Sequence, residues 1–320
     1  MRFSVDPWDP AFGASLEAEL GESTAEVDAT VERPVTRWDP VDPPRHVPHP
    51  AVVLFVDGVR RVDAQVWVDE PDGTVTPALC ASIGAGVVGC RPGQSAELRA
   101  VEVRRALVTT SPAAGEIVTS AGSYPVVRVG SQPGVPLPRV LSEGVQAALH
   151  ALEVEVATAA RDGECTGEDA LLVVDGGLRR QRHLPNTLGL VKTHRSTYLP
   201  QALGAVVTRL GPTQRTPVFR VGTSWWRYSW YLRLPVWARA PWAGVVRVEG
   251  GPDLTPEQAV ALADLSQVVL PRYASAEHKD GRAPQNLYPV AGLERAVRRR
   301  LGDPALLYRA LRHAAATPRS

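Results

Sequence analysis

Cysteine is scarce in this 320-residue chain: Cys80, Cys90 and Cys165 are the only three, odd in number and without CxxC spacing. That argues against a disulfide framework and a structural zinc site, and the three read as small buried hydrophobes. A run of about 18 apolar residues, the length a membrane helix needs, is also missing. The opening text, MRFSVDPWDPAFG, has neither a basic n-region nor an apolar h-region, so a cytoplasmic location with no membrane partner is expected. Charge of one sign is lacking too. The 35 Lys plus Arg face 34 Asp plus Glu for a net +1, which leaves no global nucleic-acid signature and confines any DNA contact to a local patch. Lysine is scarcer still, with Lys192 and Lys279 the only two beside 29 prolines. This resembles a GC-rich coding bias, in which a surviving lysine is more informative than usual.

What is present is a chain that is 44% hydrophobic, enough to bury a substantial core and to exclude disorder over its whole length. Residues 15–26 are acidic and helix-like, and RPVTRWDPVDPPRHVPHP follows, a passage that proline keeps out of regular structure. Residues 1–50 therefore read as a proline-rich N-terminal arm, whose Trp8 and Trp38 could dock a partner or wrap a dimer mate. Residues 51–320 read as one α/β domain. AVVLFVD at 51–57 has the pattern of a strand buried on both faces. Strands at 62–68 and 78–88 follow around the turn Glu70-Pro71-Asp72-Gly73. A helix is expected from Pro138 to Ala160, with Ser142 as its N-cap. ALLVVD at 170–175 repeats the first strand's pattern. Tryptophan-rich strands at 216–234 and 243–249, a helix from Thr255, and basic helices broken near Gly302-Asp303-Pro304 complete the pattern.

The chemistry lies at the strand ends. An ionised carboxylate in a dry interior is costly unless something compensates it, and a metal ion is one common compensation. Asp57 in FVDGVRR and Asp175 in VVDGGLRR share this arrangement, each followed by glycine and an arginine pair from which Arg60 and Arg179 are candidate DNA contacts. Either Asp-Gly alone reads equally well as an ordinary strand-to-turn transition. On the helix, Val145, Leu149, Leu152, Val156 and Ala160 share one face, with Glu153 at its edge and Glu155 off it. Glu153 is thus the acid expected to point inward, against the alternative of a boundary glutamate whose stem snorkels. Three such acids would bind Mn2+ or Mg2+ through oxygen and suit phosphodiester hydrolysis. Lys192, after the second Asp strand, could neutralise a scissile phosphate, or be a solvated loop lysine. His194 could neighbour Lys192 at the site, against the commoner reading of a lone loop histidine as structural or exposed. In SWWRYSWYLRL the aromatics alternate with cations as in a single-strand channel. Strand alternation buries about half of them, which leaves Trp226 and Arg227 as contacts.

These motifs resemble the NurA nucleases, which share an RNase H-like fold with the Piwi domain of Argonaute. The resemblance rests on VVLFVDGVRR, the helix-borne Glu153, LLVVDGGLRR followed by LGLVKTHRSTYLP, SWWRYSWYLRL before GVVRVE, and APQNLYPVAGLERAVRR, over about residues 50–302. It implies an RNase H-like mixed sheet flanked by helices, with elaborations. It also implies a manganese-dependent DNA exonuclease and endonuclease that works as a homodimer beside a HerA-type hexameric ATPase in DNA end processing. Asp57, Glu153 and Asp175 match the family's acids. A last ligand follows its Tyr-Pro element, where Tyr288-Pro289 places Glu294 instead of the usual His or Asp, with His278 and Asp280 as competitors. Two further readings remain, a non-catalytic nucleic-acid-binding adaptor of a translocase and a guide-dependent Piwi-like binder without cleavage.

Overall fold

The computed structural model describes residues 16–22, 24–131, 133–164, 170–179, 184–236 and 240–316. Cys165 and Trp8 lie outside them. In chain order the elements are strands β1 (Leu16–Glu22), β2 (Glu26–Asp28), β3 (Val52–Asp69), β4 (Val75–Cys90), β5 (Glu97–Thr109), β6 (Ile117–Thr119), β7 (Gly122–Tyr124) and β8 (Val126–Arg128), then helix α1 (Leu137–Glu164). There follow β9 (Ala170–Asp175), β10 (Thr187–Val191), β11 (His194–Thr197), helix α2 (Gln201–Arg209), β12 (Phe219–Gly222), β13 (Trp226–Arg233) and β14 (Val245–Gly250). Helices α3 (Pro256–Val269), α4 (Tyr288–Arg300) and α5 (Pro304–Ala316) close the series. The fold is mixed α/β, and parallel and antiparallel strand pairs occur together.

The chain divides into two units. One holds Met1–Phe55, Gly89–Glu97 and Cys165–Ala291, the other Val56–Val88, Leu98–Glu164 and Gly292–Ser320. In the first unit the strand order is β2-β12-β13-β14-β10-β9, next to the opening residues of β3. In this sheet β9 and β10 pair in parallel, and the pairs from β2 to β10 are antiparallel. The β9 and β10 sequences, ALLVVD and TLGLV, are almost wholly apolar because both faces are covered. In the second unit the order is β3-β4-β5-β8.

Several sequence expectations are corrected here. Within the stretch expected to be helical at 15–26, residues 16–22 form β1, which pairs in parallel with β11, and Glu26 opens β2, which pairs with β12. Distant partners supply the backbone hydrogen bonds, and they override local helix preference. The strands expected at 51–57 and 62–68 are one continuous strand, β3. Helix α1 begins at Leu137, so Ser142 lies inside it and does not cap it. Pro138 stands in the first turn, where its missing N–H costs nothing. The Glu70–Gly73 turn is present, with Gly73 at φ +82° and its N–H donating to Glu70 O at 3.0 Å. Thr255 caps α3 through a reciprocal capping box with Gln258.

The proline-rich stretch contributes to the first unit's core. Trp38 is 4% exposed, packs on Phe219 at 6.0 Å between ring centroids, and donates from Nε1 to Ala29 O at 2.8 Å. Val41 bridges Arg215, and the buried Arg215 guanidinium holds Glu32 at 2.7 Å and Asp264 at 2.6 Å. In the second unit, Gly84 on β4 lets α4 settle close, since a Cβ there would lie 2.7 Å from Val297 Cγ1. Val59, Leu293, Val297 and Leu301 form the core between them. Trp38→Ala is expected to cost about 3 kcal/mol in denaturant unfolding, the usual penalty for emptying a buried tryptophan site. A loss below about 0.5 kcal/mol, the range of surface substitutions, would mean that the stretch is an arm after all.

Candidate functional site

Asp175 ends β9, and β9 pairs with β10 so that Asp175 stands opposite Leu190. The chain then folds back on β10. Gly176, at φ +112°, donates its N–H to Leu190 O at 2.8 Å. Glycine is required at Gly189, where a Cβ would lie 2.9 Å from Leu178 N and 3.0 Å from Gly176 O. The returning turn is held by Glu249 on β14, whose Oε2 accepts from Leu178 N at 2.8 Å. Glu249 is 1% exposed, and its Oε1 accepts from Arg227 at 2.7 Å and Arg247 at 2.5 Å. Two cations on one buried carboxylate satisfy its charge and fix the position of the turn that follows Asp175.

Lys192 stands one residue beyond β10, and its Nζ donates to Asp175 Oδ2 at 2.6 Å and to Asn286 Oδ1 at 2.9 Å. Asn286, fully buried ahead of α4, donates from Nδ2 to Asp280 Oδ2 at 2.7 Å. Asp280 Oδ1 in turn accepts from Arg282 N at 2.8 Å. The result is one unbroken chain of hydrogen bonds, Asp175–Lys192–Asn286–Asp280, all within the first unit. Asp175 Oδ1 is buried and has no hydrogen-bond partner among the described residues.

The second unit carries the other two expected acids. Asp57 is buried on β3, and its Oδ1 accepts from Gly58 N at 2.8 Å. Glu153 is buried on α1, while Glu155 is half exposed and bonded to Arg104 at 2.6 Å. Glu153 presses against Gly58: a Cβ there would collide with Glu153 Oε1 and lie 2.7 Å from Leu149 Cδ1. Glu153 Oε2 meets His150 Nδ1 at 2.7 Å, and His150 Nε2 meets Gln146 Nε2 at 2.7 Å.

The remaining expected site residues fall elsewhere. Glu294, on α4 in the second unit, accepts from Arg298 Nη2 at 2.7 Å one turn on. His278 is exposed, whereas its competitor Asp280 belongs to the chain from Asp175. Arg60 is exposed and reaches Ser142 Oγ only at 3.5 Å, and Arg179 is exposed beyond the Gly176-Gly177 turn. Trp226 is partly exposed, stacked on Gly222, with the Arg220 guanidinium 5.1 Å from its ring. Arg227, expected as a DNA contact, is instead 8% exposed and directed into Glu249. From Arg227 to Arg233 β13 is buried on both faces, and the buried Glu249 carboxylate takes up the guanidinium. Among the described residues no group of three or more His, Cys, Asp or Glu is gathered as a metal cluster.

Sequence reasoning passed over Asn286, Glu249 and His150. Glu249 had a visible signal, an acid closing the apolar strand VVRVE two residues after Arg247. Asn286 had none beyond its place in APQNLYP. His194 is structural: it is buried between Tyr231 and Trp242 and meets Val245 O at 3.1 Å. Burial pushes its pKa down to about 4. No family model matches this chain, and no curated protein matches its sequence.

The His194 shift has a defined sign. Its folded pKa of about 4 lies below the ordinary 6.5, so the unfolded chain binds the extra proton. Stability is full above about pH 6.5 and declines as pH falls toward 4. This one group should remove about 2 kcal/mol between pH 7.5 and 5. Denaturant unfolding of the wild type and His194→Gln at both pH values checks it, the variant being expected to show a smaller loss. Equal losses would place the titrating group elsewhere.

Proposed function

We propose that this chain is a divalent-metal-dependent deoxyribonuclease of RNase H-like architecture. It acts on DNA ends as a homodimer beside a HerA-type hexameric ATPase in the cytoplasm. The observation that carries the reading is Asp175 Oδ1, a buried carboxylate oxygen that no group of the described protein satisfies. An orphan of this kind costs free energy unless a ligand meets it, and a hard oxygen suits Mn2+ or Mg2+ better than a softer metal. Asp175 thus fits one ligand position. Asp57 and Glu153, both in the second unit, are the further carboxylates of the sequence reading, and Glu294 is its last ligand, with His278 and Asp280 as competitors. No helix among the described residues is long and apolar enough to cross a membrane.

A bound divalent ion would supply Lewis-acid stabilisation of the phosphoryl oxygens and an activated water. The chain's own residues do the rest. Lys192 holds a positive charge at Asp175 Oδ2, where a backbone phosphate can draw on it as charge develops. The Gly176–Leu178 turn, fixed by Glu249, keeps Asp175 at the strand end and presents Arg179 to solvent for DNA. His150 orients Glu153 by holding Oε2, so that Oε1 faces Gly58 on β3.

The adaptor reading has one observation in its favour, since Lys192 already neutralises Asp175 without a metal. Manganese-dependent cleavage of labelled single- and double-stranded DNA separates the two. Asp175→Asn and Asp57→Asn are each expected to lower the rate by at least about a hundredfold, with circular dichroism of wild-type form. Unchanged turnover in both variants, or no cleavage and no metal binding by the wild type, would leave the adaptor.

A further inference from the structure

Asn286 sits between a group that can only accept and a group that can only donate. The Asp280 carboxylate accepts from its Nδ2 at 2.7 Å, and the Lys192 ammonium donates to its Oδ1 at 2.9 Å. These two neighbours leave the amide one orientation. Asp280 is itself fixed, because its other oxygen accepts from Arg282 N. The Asn286 side chain is fully buried, and only 11% of the Lys192 side chain is exposed. A lysine has a flexible four-carbon stem and three rotatable donors, so Asn286 gives the ion pair with Asp175 a second anchor that limits how often the head swings out to solvent.

We infer that Asn286, oriented by Asp280, is the positioning residue that holds Lys192 on Asp175 Oδ2 and keeps Oδ1 open to a ligand. Its effect on turnover rests on the nuclease reading above; its effect on Lys192 does not. It touches no reacting atom and acts through Lys192. The arrangement also defines a reciprocal exchange. With Asn286→Asp and Asp280→Asn together, the carboxylate faces the ammonium and the amide donates to it, at the same net charge. Asn286→Asp alone sets two carboxylates against each other.

The test uses the full chain, in which Lys192 and Lys279 are the only lysines. Acetylation by an amine-reactive ester, read by mass spectrometry, reports each separately, with exposed Lys279 and added free lysine amide as references. Lys192 is expected to react slowly in the wild type. In Asn286→Leu it should react about tenfold faster, the factor that a hydrogen bond to a charged group commands. The reciprocal exchange should return it to within about twofold of wild type, since every donor again meets an acceptor. Manganese-dependent cleavage provides the second readout: kcat falls in Asn286→Leu with KM for DNA unchanged, and adding Asn286→Leu to Lys192→Ala produces no further loss.

Unchanged Lys192 reactivity in a folded Asn286→Leu protein would overturn the inference. So would an exchange variant no better protected than Asn286→Asp alone. Should Asn286→Leu fail to fold, the exchange variant decides alone: protection of Lys192 supports the inference, and exposure overturns it. Expected labelling in a wild type that cleaves no DNA would sink the nuclease reading and leave the positioning role standing.

Discussion

An ammonium and a carboxylate that have both largely left water must find each other, since each alone would cost several kcal/mol of desolvation. The Lys192–Asp175 contact at 2.6 Å is that meeting, with side-chain exposures of 11% and 16%. The first unit is arranged around it. The parallel pairing of β9 and β10 brings residues 175 and 192 to the same end of two adjacent strands. Gly189 lets the following turn fold back, and Glu249 holds that turn by a backbone bond. Asn286 anchors the ammonium from the other side. The compensation is incomplete by one oxygen, Asp175 Oδ1. That oxygen is the point on which the proposed metal reading rests.

The second unit treats its buried acids differently. Asp63 is completed within the protein, by Arg61 at 2.8 Å, Ser82 at 2.5 Å and Tyr124 at 3.0 Å. Burial and the neighbouring carboxylate drive the Tyr124 phenol well above its ordinary range, so it stays a proton donor to Asp63. Asp63 is therefore a structural acid by its partners, although its sequence setting, six residues after Asp57 on the same strand, resembles that of a functional one. Glu153 lies between these cases, with Oε2 held by His150 and Oε1 directed at the one position of β3 that has no side chain.

Much of the architecture was legible because it rests on local pattern. The apolar runs before Asp57 and Asp175, the apolar face of α1 and the Thr255 cap each depend on residues close in sequence. What was not legible depends on distant partners. β1 and β2 exist because β11 and β12 supply their hydrogen bonds, and the proline-rich stretch is anchored by Trp38 on Phe219. Arg227 was misread because its fate depends on Glu249, 22 residues later on a neighbouring strand. Asp175 ends its strand as the sequence pattern suggests and Glu153 lies on the edge of the apolar helix face, but Asp57, expected at a strand end, stands within the continuous strand β3. Asn286 could not be read, because its partners Lys192 and Asp280 lie at no signalling spacing, whereas His150 stands three residues before Glu153 on α1, a helical pairing spacing that was open to reading and passed over.

The account turns on whether Asp175 Oδ1 takes a cation. Anomalous diffraction from a crystal equilibrated with Mn2+ measures this directly. The expected result is a manganese peak within oxygen-ligand distance of Asp175 Oδ1, about 2.0–2.6 Å, absent from Asp175→Asn crystals treated alike. A wild-type crystal at saturating manganese with no peak there, and Lys192 still seated on Asp175, would contradict the account.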